Sequence, residues 1–130
     1  MAKLGDYFKT EDFKKEKHVP VIEGTSGVKS GVPFTVSVTV GKEIPHPNTT
    51  EHHIAWIKLY FMPDGGKFIY EIGSSVFSAH GESVDGPNKG PVYSNSIATF
   101  NLKLDAPGKL IAESYCNIHG LWESSVDIVF

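Results

Sequence analysis

The sequence predicts an all-β fold: an immunoglobulin-like antiparallel β-sandwich of about seven strands, preceded by a short N-terminal arm. Three observations carry that expectation. Residues 34–40 and 98–104 place apolar side chains at every second position (Phe34, Val36, Val38, Val40 and Ala98, Phe100, Leu102, Leu104), the period of a half-buried strand. Strong turn signals, Pro63-Asp64-Gly65-Gly66 and Ala106-Pro107-Gly108, break the chain into short segments. The charged first 20 residues leave room for at most a short helix before Pro20.

Taken in order, residues 1–20 form an arm rich in Lys, Glu and Asp with Tyr7, Phe8 and Phe13 scattered through it, and residues 21–130 form the sandwich. Residues 34–40 are the first clear strand. Residues 54–62 are apolar on both faces and read as a central, twice-buried strand ending at the Pro-Asp-Gly-Gly turn. Residues 67–72 and 75–80 read as two shorter strands parted by Gly73. Residues 81–91, with Gly81, Gly86, Gly90, Pro87 and Pro91, read as a loop. Residues 98–104, 110–116 and 124–130 supply the remaining strands. With a single cysteine, the disulfide-centred core of antibody domains cannot form.

Composition narrows the function. A chain of 130 residues, 40% hydrophobic and 12% aromatic, fills one ordinary domain with a real core. The net charge is −3, and all 12 basic residues are lysine. Without arginine, the usual bidentate reader of phosphate and guanine, nucleic acid is not an expected partner. No apolar run approaches the roughly 20 residues of a membrane span. The N-terminus turns acidic at Asp6 before any apolar stretch, unlike a signal peptide. The lone cysteine fits a reducing compartment. A soluble, cytoplasmic, single-domain protein is expected.

The strongest chemical signal is Cys116-Asn117-Ile118-His119-Gly120: a thiolate and an imidazole three residues apart, leaving a strand into a glycine-ended turn. Both can reach one metal ion, and the turn aims backbone N–H groups at the sulfur. A buried cysteine beside an unrelated histidine is the plainer reading of that motif alone. The other histidines shift the balance. Ile44-Pro45-His46-Pro47-Asn48-Thr49-Thr50-Glu51-His52-His53 puts three imidazoles on a loop stiffened by proline, which lowers the entropy cost of fixing His46. His52 and His53 are adjacent, so on an extended chain they face opposite ways and only one easily joins a shared site. His18 is braced by Pro20. One thiolate with several imidazoles suits iron, copper or zinc rather than calcium or magnesium. Five candidates exceed the four of a structural zinc site and point to a square-pyramidal site with one position open.

Three segments resemble the superoxide reductases of the one-iron, neelaredoxin type: Glu16-Lys17-His18-Val19-Pro20-Val21-Ile22, Gly41-Lys42-Glu43-Ile44-Pro45-His46-Pro47-Asn48-Thr49-Thr50-Glu51-His52-His53-Ile54, and Ser114-Tyr115-Cys116-Asn117-Ile118-His119-Gly120-Leu121-Trp122-Glu123. The likeness runs from about residue 14 to 126 and includes the loop Ala79-His80-Gly81-Glu82-Ser83. The four-cysteine domain of the two-iron desulfoferrodoxins has no counterpart in a chain with one cysteine. The resemblance implies one iron per chain, with His18, His46, His52 and His119 as equatorial ligands and Cys116 as the axial thiolate. It implies one-electron reduction of superoxide to hydrogen peroxide, with Lys17 attracting superoxide and Glu16 filling the sixth position in the ferric state. Rubredoxin or a similar small iron protein as electron donor, and a homotetramer, are implied on the same ground. Two rival readings stand beside it. A cupredoxin-like electron carrier would use His2Cys ligation with a weak axial Met, yet Met1 and Met62 are the only methionines and none follows His119. A metal-stabilised immunoglobulin-like binding module would leave Glu16, Lys17 and the Pro-His-Pro loop without a purpose.

Overall fold

In the computed structural model, which describes all 130 residues, seven strands form two antiparallel sheets. The strands are β1 (Val21–Glu23), β2 (Phe34–Thr39), β3 (Ile54–Pro63), β4 (Tyr70–Val76), β5 (Ile97–Leu102), β6 (Gly108–Cys116) and β7 (Gly120–Ile128). One sheet runs β1-β2-β5 and the other β4-β3-β6-β7. Their facing sides bury one core, with Val36 and Val38 from β2, Ala98 from β5, Ile57, Leu59 and Phe61 from β3, and Leu110 and Ala112 from β6. This is the predicted sandwich.

Period-two patterning places the site as well as the core. Along β6, Gly108, Leu110, Ala112, Ser114 and Cys116 all face inward and are buried. Cys116 is the last of that inward series, so the alternation that packs the core also carries its sulfur to the inner end of the sheet. On β3 the pairing with β6 shifts between Ile54 and Trp56, a β-bulge at Ala55. The bulge lets both Ile54 and Ile57 face the core and bends the strand where the histidine loop joins it.

Three strand expectations are corrected. β3 is central, lying between β4 and β6, but it is buried on one face only. Nothing in the chain covers its second face fully, so Trp56, Lys58 and Tyr60 lie there half-buried, with Trp56 stacked on Tyr115 and the Lys58 ammonium 4.5 Å from the Trp56 ring. The two strands read at 67–72 and 75–80 are one strand, β4, with Gly73 inside it. A side chain at Gly73 would meet the Phe100 ring at 3.1 Å, so the glycine serves sheet-to-sheet packing rather than a break. β1 and the first four residues of β7 lay outside the predicted strands. The count of seven therefore combines one strand split in two with one missed.

Residues 1–20 contribute one 3-10 turn, Leu4–Asp6, and then run beside β7. The Lys9 amide donates to the Leu121 carbonyl (3.1 Å) and the Glu123 amide to the Lys9 carbonyl (2.9 Å). Farther along, Ser114 Oγ donates to the His18 carbonyl (3.2 Å) and Ser124 Oγ to the Pro20 carbonyl (2.5 Å). Those bonds press His18, Val19 and Pro20 onto β6 and β7, where all three are buried. No helix is long and apolar enough to cross a membrane.

Candidate metal centre

Five of the residues singled out in the sequence meet at one end of the sandwich. The β6–β7 turn brings Cys116 opposite Gly120, whose φ of 83° lies in the left-handed region that glycine adopts without strain. That turn folds His119 back over the sulfur. The His119 amide donates to Cys116 Sγ at 3.4 Å, and His119 Nδ1 lies 3.7 Å from the same sulfur. The Trp122 indole N–H caps the turn by donating to the His119 carbonyl at 3.2 Å.

The other three imidazoles arrive from the arm and from the loop before β3. In the order His18, His46, His52, His119, the ring centroids outline a square with sides of 4.8, 4.7, 5.0 and 4.6 Å. The His18–His52 diagonal is 6.3 Å. His18 Nε2 lies 3.1 Å and His52 Nε2 3.2 Å from His119 Nδ1. One ligand atom from each of His18, His52, Cys116 and His119 falls within 4.8 Å of the rest. His46 stands outside that tighter group, with its ring edge-on to both His18 and His52. His53 turns the other way, although His52 closes a turn with Thr49 rather than lying on extended chain, and donates from Nδ1 to the Thr49 carbonyl at 2.8 Å.

Hydrogen bonds on the outer nitrogens fix which nitrogen faces inward. His46 Nδ1 donates to the Pro47 carbonyl at 2.7 Å, which leaves the Nε2 lone pair inward. That Nε2 is buried and has no hydrogen-bond partner in the protein. His18 Nδ1 donates to Glu16 Oε1 at 2.5 Å, again leaving Nε2 inward. Buried lone pairs aimed at one point, one of them orphaned, are costly for a protein alone and are what a cation resolves. The donor set of four imidazoles and one thiolate suits iron, copper or zinc on softness.

Electrostatics keep the rings in their ligating form. Burial pulls His46 down to about 4, and its histidine neighbours and Lys17 pull the same way. Burial also lowers His18, although Glu16 opposes it, and lowers His52 together with the nearby His119 and Lys17. Burial alone would raise Glu16, but the hydrogen bonds it accepts from the ring and backbone of His18 outweigh that and bring it below the usual carboxylate range. Beside the square lies a cavity of about 370 Å³ lined by Lys15, Glu16, Lys17, His18, Ile44, His119 and Trp122. Cys116 does not line it, so the sulfur sits on the protein side and the lysines on the solvent side.

The model of the Desulfoferrodoxin family matches residues 10–125, nearly the whole chain. The chain belongs to the desulfoferrodoxin family. Family relatives include the neelaredoxin of Megalodesulfovibrio gigas, 60% identical over 123 residues and covering 95% of each chain. The superoxide reductase of Pyrococcus furiosus is 55% identical over 125 residues, covering 96% of this chain and 98% of its own. Among solved structures, the reduced superoxide reductase (neelaredoxin) of Archaeoglobus fulgidus superposes with a TM-score of 0.87 at 57% identity, covering 95% of this chain and 98% of that one. In this desulfoferrodoxin-family chain, sequence reasoning missed three side chains that hold the site from outside. Asn48 donates from Nδ2 to the Ser94 carbonyl (2.5 Å). Asn88 accepts the Thr50 amide (2.7 Å) and donates to the Glu51 carboxylate. Asn117 accepts the His53 amide (2.9 Å) and donates to the Glu51 carbonyl (2.9 Å). Two of these contacts span 66 or 64 residues and leave no local signal in the sequence.

Proposed function

We propose that this chain reduces superoxide to hydrogen peroxide, one electron at a time, at a single iron held by His18, His46, His52, His119 and Cys116. The observation that carries the reading is the square of imidazoles over a buried thiolate, with His46 Nε2 orphaned inside it. When bound, iron supplies the electron and one open position for an anionic ligand. The protein does the rest. Lys17 faces the cavity and sets a local positive field that outweighs the net charge of −3 within a Debye length of about 8 Å. The His119 amide donates to the Cys116 sulfur and tempers its electron donation. The cavity admits water, which supplies the protons that peroxide needs.

Glu16 has two tasks in this reading. Where it stands, it holds the His18 ring by its outer nitrogen, the role of an outer-shell carboxylate. Both bonds to His18 fall on Oε1, which leaves Oε2 as the oxygen that would serve as a further ligand to a ferric ion. The first 20 residues act as an arm that delivers Glu16, Lys17 and His18 to a sandwich of residues 21–130. The electron comes from a small iron protein of the rubredoxin kind, in the cytoplasm. Support for a homotetramer is the edge strand β4, with Phe68, Ile69, Tyr70 and Val76 exposed on or beside it.

Two experiments test the reading. Superoxide consumption by the iron-loaded protein should track the reductant supplied and release no stoichiometric dioxygen; sustained turnover without a donor would move it to the dismutases. Lys17→Ala should slow the second-order reaction of the ferrous protein with superoxide by about tenfold and flatten its salt dependence. Glu16→Ala should leave that rate nearly unchanged while easing access of azide to ferric iron. Equal losses in both variants would refute the division of roles.

A further inference from the structure

The sixth histidine has no place in the site described above. His80 is 4% exposed, follows β4 by four residues, and points into the protein rather than at the imidazole square. Its Nδ1 lies 2.7 Å from Asn48 Oδ1 and its Nε2 2.8 Å from the Phe77 carbonyl. Its ring stacks flat on His53, with centroids 3.5 Å apart and planes within 4°. A ring of this size needs no nitrogens to fill space, and burying them costs free energy unless both are bonded. Here one nitrogen is spent on the loop that carries His46 and His52, and one face of the ring on the residue beside His52.

We propose that His80 is a positioning residue for the iron-binding loop, acting through Asn48. Asn48 lies two residues after His46 and four before His52, and its amide is held from both sides, by His80 at Oδ1 and by the Ser94 carbonyl at Nδ2. At the far end of the same turn, His53 is clamped between the His80 ring and the Thr49 carbonyl. His80 thus grips the loop at two points that bracket the Thr49-to-His52 turn, whose own bonds are the Thr49 amide to the His52 carbonyl (3.0 Å) and the His52 amide to Thr49 Oγ1 (3.0 Å). With both points fixed, the inward nitrogens of His46 and His52 cannot drift apart as a pair. The inference rests on the reading of those two histidines as ligands.

The test uses the iron-loaded protein and two readouts: the rate at which excess chelator removes iron, and the line shape of the ferric electron paramagnetic resonance signal. Both atoms facing the ring nitrogens are acceptors, so a neutral ring donates to one of them at a time; His80→Phe keeps the ring and its stacking but loses the contact to Asn48. It should release iron about tenfold faster, the lower end for an outer-shell partner, with an altered line shape. His80→Gln retains a donor toward Asn48 and should recover part of the loss. Asn48→Ala should reproduce the effect of His80→Phe, and the double variant should be no worse than either single one. Should His80→Phe fail to fold, Asn48→Ala decides alone. As a control, Tyr60→Phe breaks the hydrogen bond to Glu113 six residues into β3, and should lower the melting temperature without touching either iron readout. Wild-type release rate and line shape in His80→Phe and Asn48→Ala, whatever their melting temperatures, would reduce His80 to a structural residue. Additive losses in the double variant would overturn the route through Asn48. The ligand reading fails separately, if His46→Ala or His52→Ala keeps one iron with an unchanged signal.

Discussion

The two segments that bring most of the imidazole square together solve the same problem in opposite ways. The Cys116–Gly120 turn is short and self-supporting. Its ends are paired strand residues, its glycine takes the left-handed conformation, and its own amide reaches the sulfur. The loop that carries His46 and His52 is part of no sheet, and its shape is borrowed. Asn48, Thr50, Glu51 and His53 are each tied to Ser94, Asn88, Asn117 or His80, residues remote in the chain. One half of the site is therefore as firm as the sheet it belongs to. The other half is as firm as its weakest prop.

The largest effect that probes this contrast is at the firm end. Cys116→Ser should abolish the visible thiolate-to-ferric band and weaken iron binding by more than the 10–100-fold typical of an outer-shell change. The strand pairing around it should survive, seen as unchanged far-ultraviolet circular dichroism of the iron-free protein. A variant that keeps the band would show that another group is the axial donor.

Next come two glycines, one in each half. Gly120 has φ 83° and open space where a Cβ would stand, so Gly120→Ala should cost only the left-handed penalty of about 1–2 kcal/mol. Gly41 has φ 88°, and a Cβ there would meet the His46 amide nitrogen at 2.8 Å. Gly41→Ala should add about 1–3 kcal/mol of overpacking and displace His46 as well. Iron content and melting temperature measured together would separate the pair: reduced iron in Gly41→Ala, near-normal iron in Gly120→Ala. The reverse order would mean that the loop yields more easily than the turn.

The smallest effect concerns one prop. Asn88→Gly keeps the positive φ of 62° that this residue adopts but deletes the side chain bonded to Thr50 and Glu51. The Thr50 amide should exchange with solvent about fivefold faster, the size of one net hydrogen bond. Glu51 is exposed and is held down to about 2, first by Asn88 and then by Thr50. Because its folded value is depressed, its contribution is present above its ordinary 4.5 and fades as pH falls toward 2. In Asn88→Gly that acid-side dependence should shrink, which a melting series from pH 2 to 6 would show.

Much of this molecule was legible in the chain, for reasons that differ by region. Alternation exposed β2 and β5 because a half-buried strand imposes it directly, whereas β6 reads only as a segment between turns and the inward place of Cys116 came from the structure. The opposed directions of His52 and His53 were expected from extended geometry, but the structure reaches them through the turn that Thr49 closes on His52. β1 escaped notice because three residues are too few to show a period, and pairing with β2 is what makes them a strand. Gly73 looked like a break because its reason, the Phe100 ring, belongs to the other sheet. The bond from Glu16 to the outer nitrogen of His18 depends on a rotamer that no spacing reveals. His80 was visible only as part of a resemblance, since its partners at Asn48 and His53 lie 32 and 27 residues away.

The indole of Trp122 lies 5.0 Å from the His18 ring, within 15° of parallel, while its N–H holds the His119 carbonyl. Only one other tryptophan exists in the chain, Trp56 on the outer face of β3. Nature has thus set a fluorophore against one wall of the metal square. Energy transfer to a coloured ferric ion bound there should quench its emission, and reduction or loss of the ion should restore it, which a fluorescence titration with iron would check. Trp122 would then report the oxidation state of the site with no added dye and no substrate consumed.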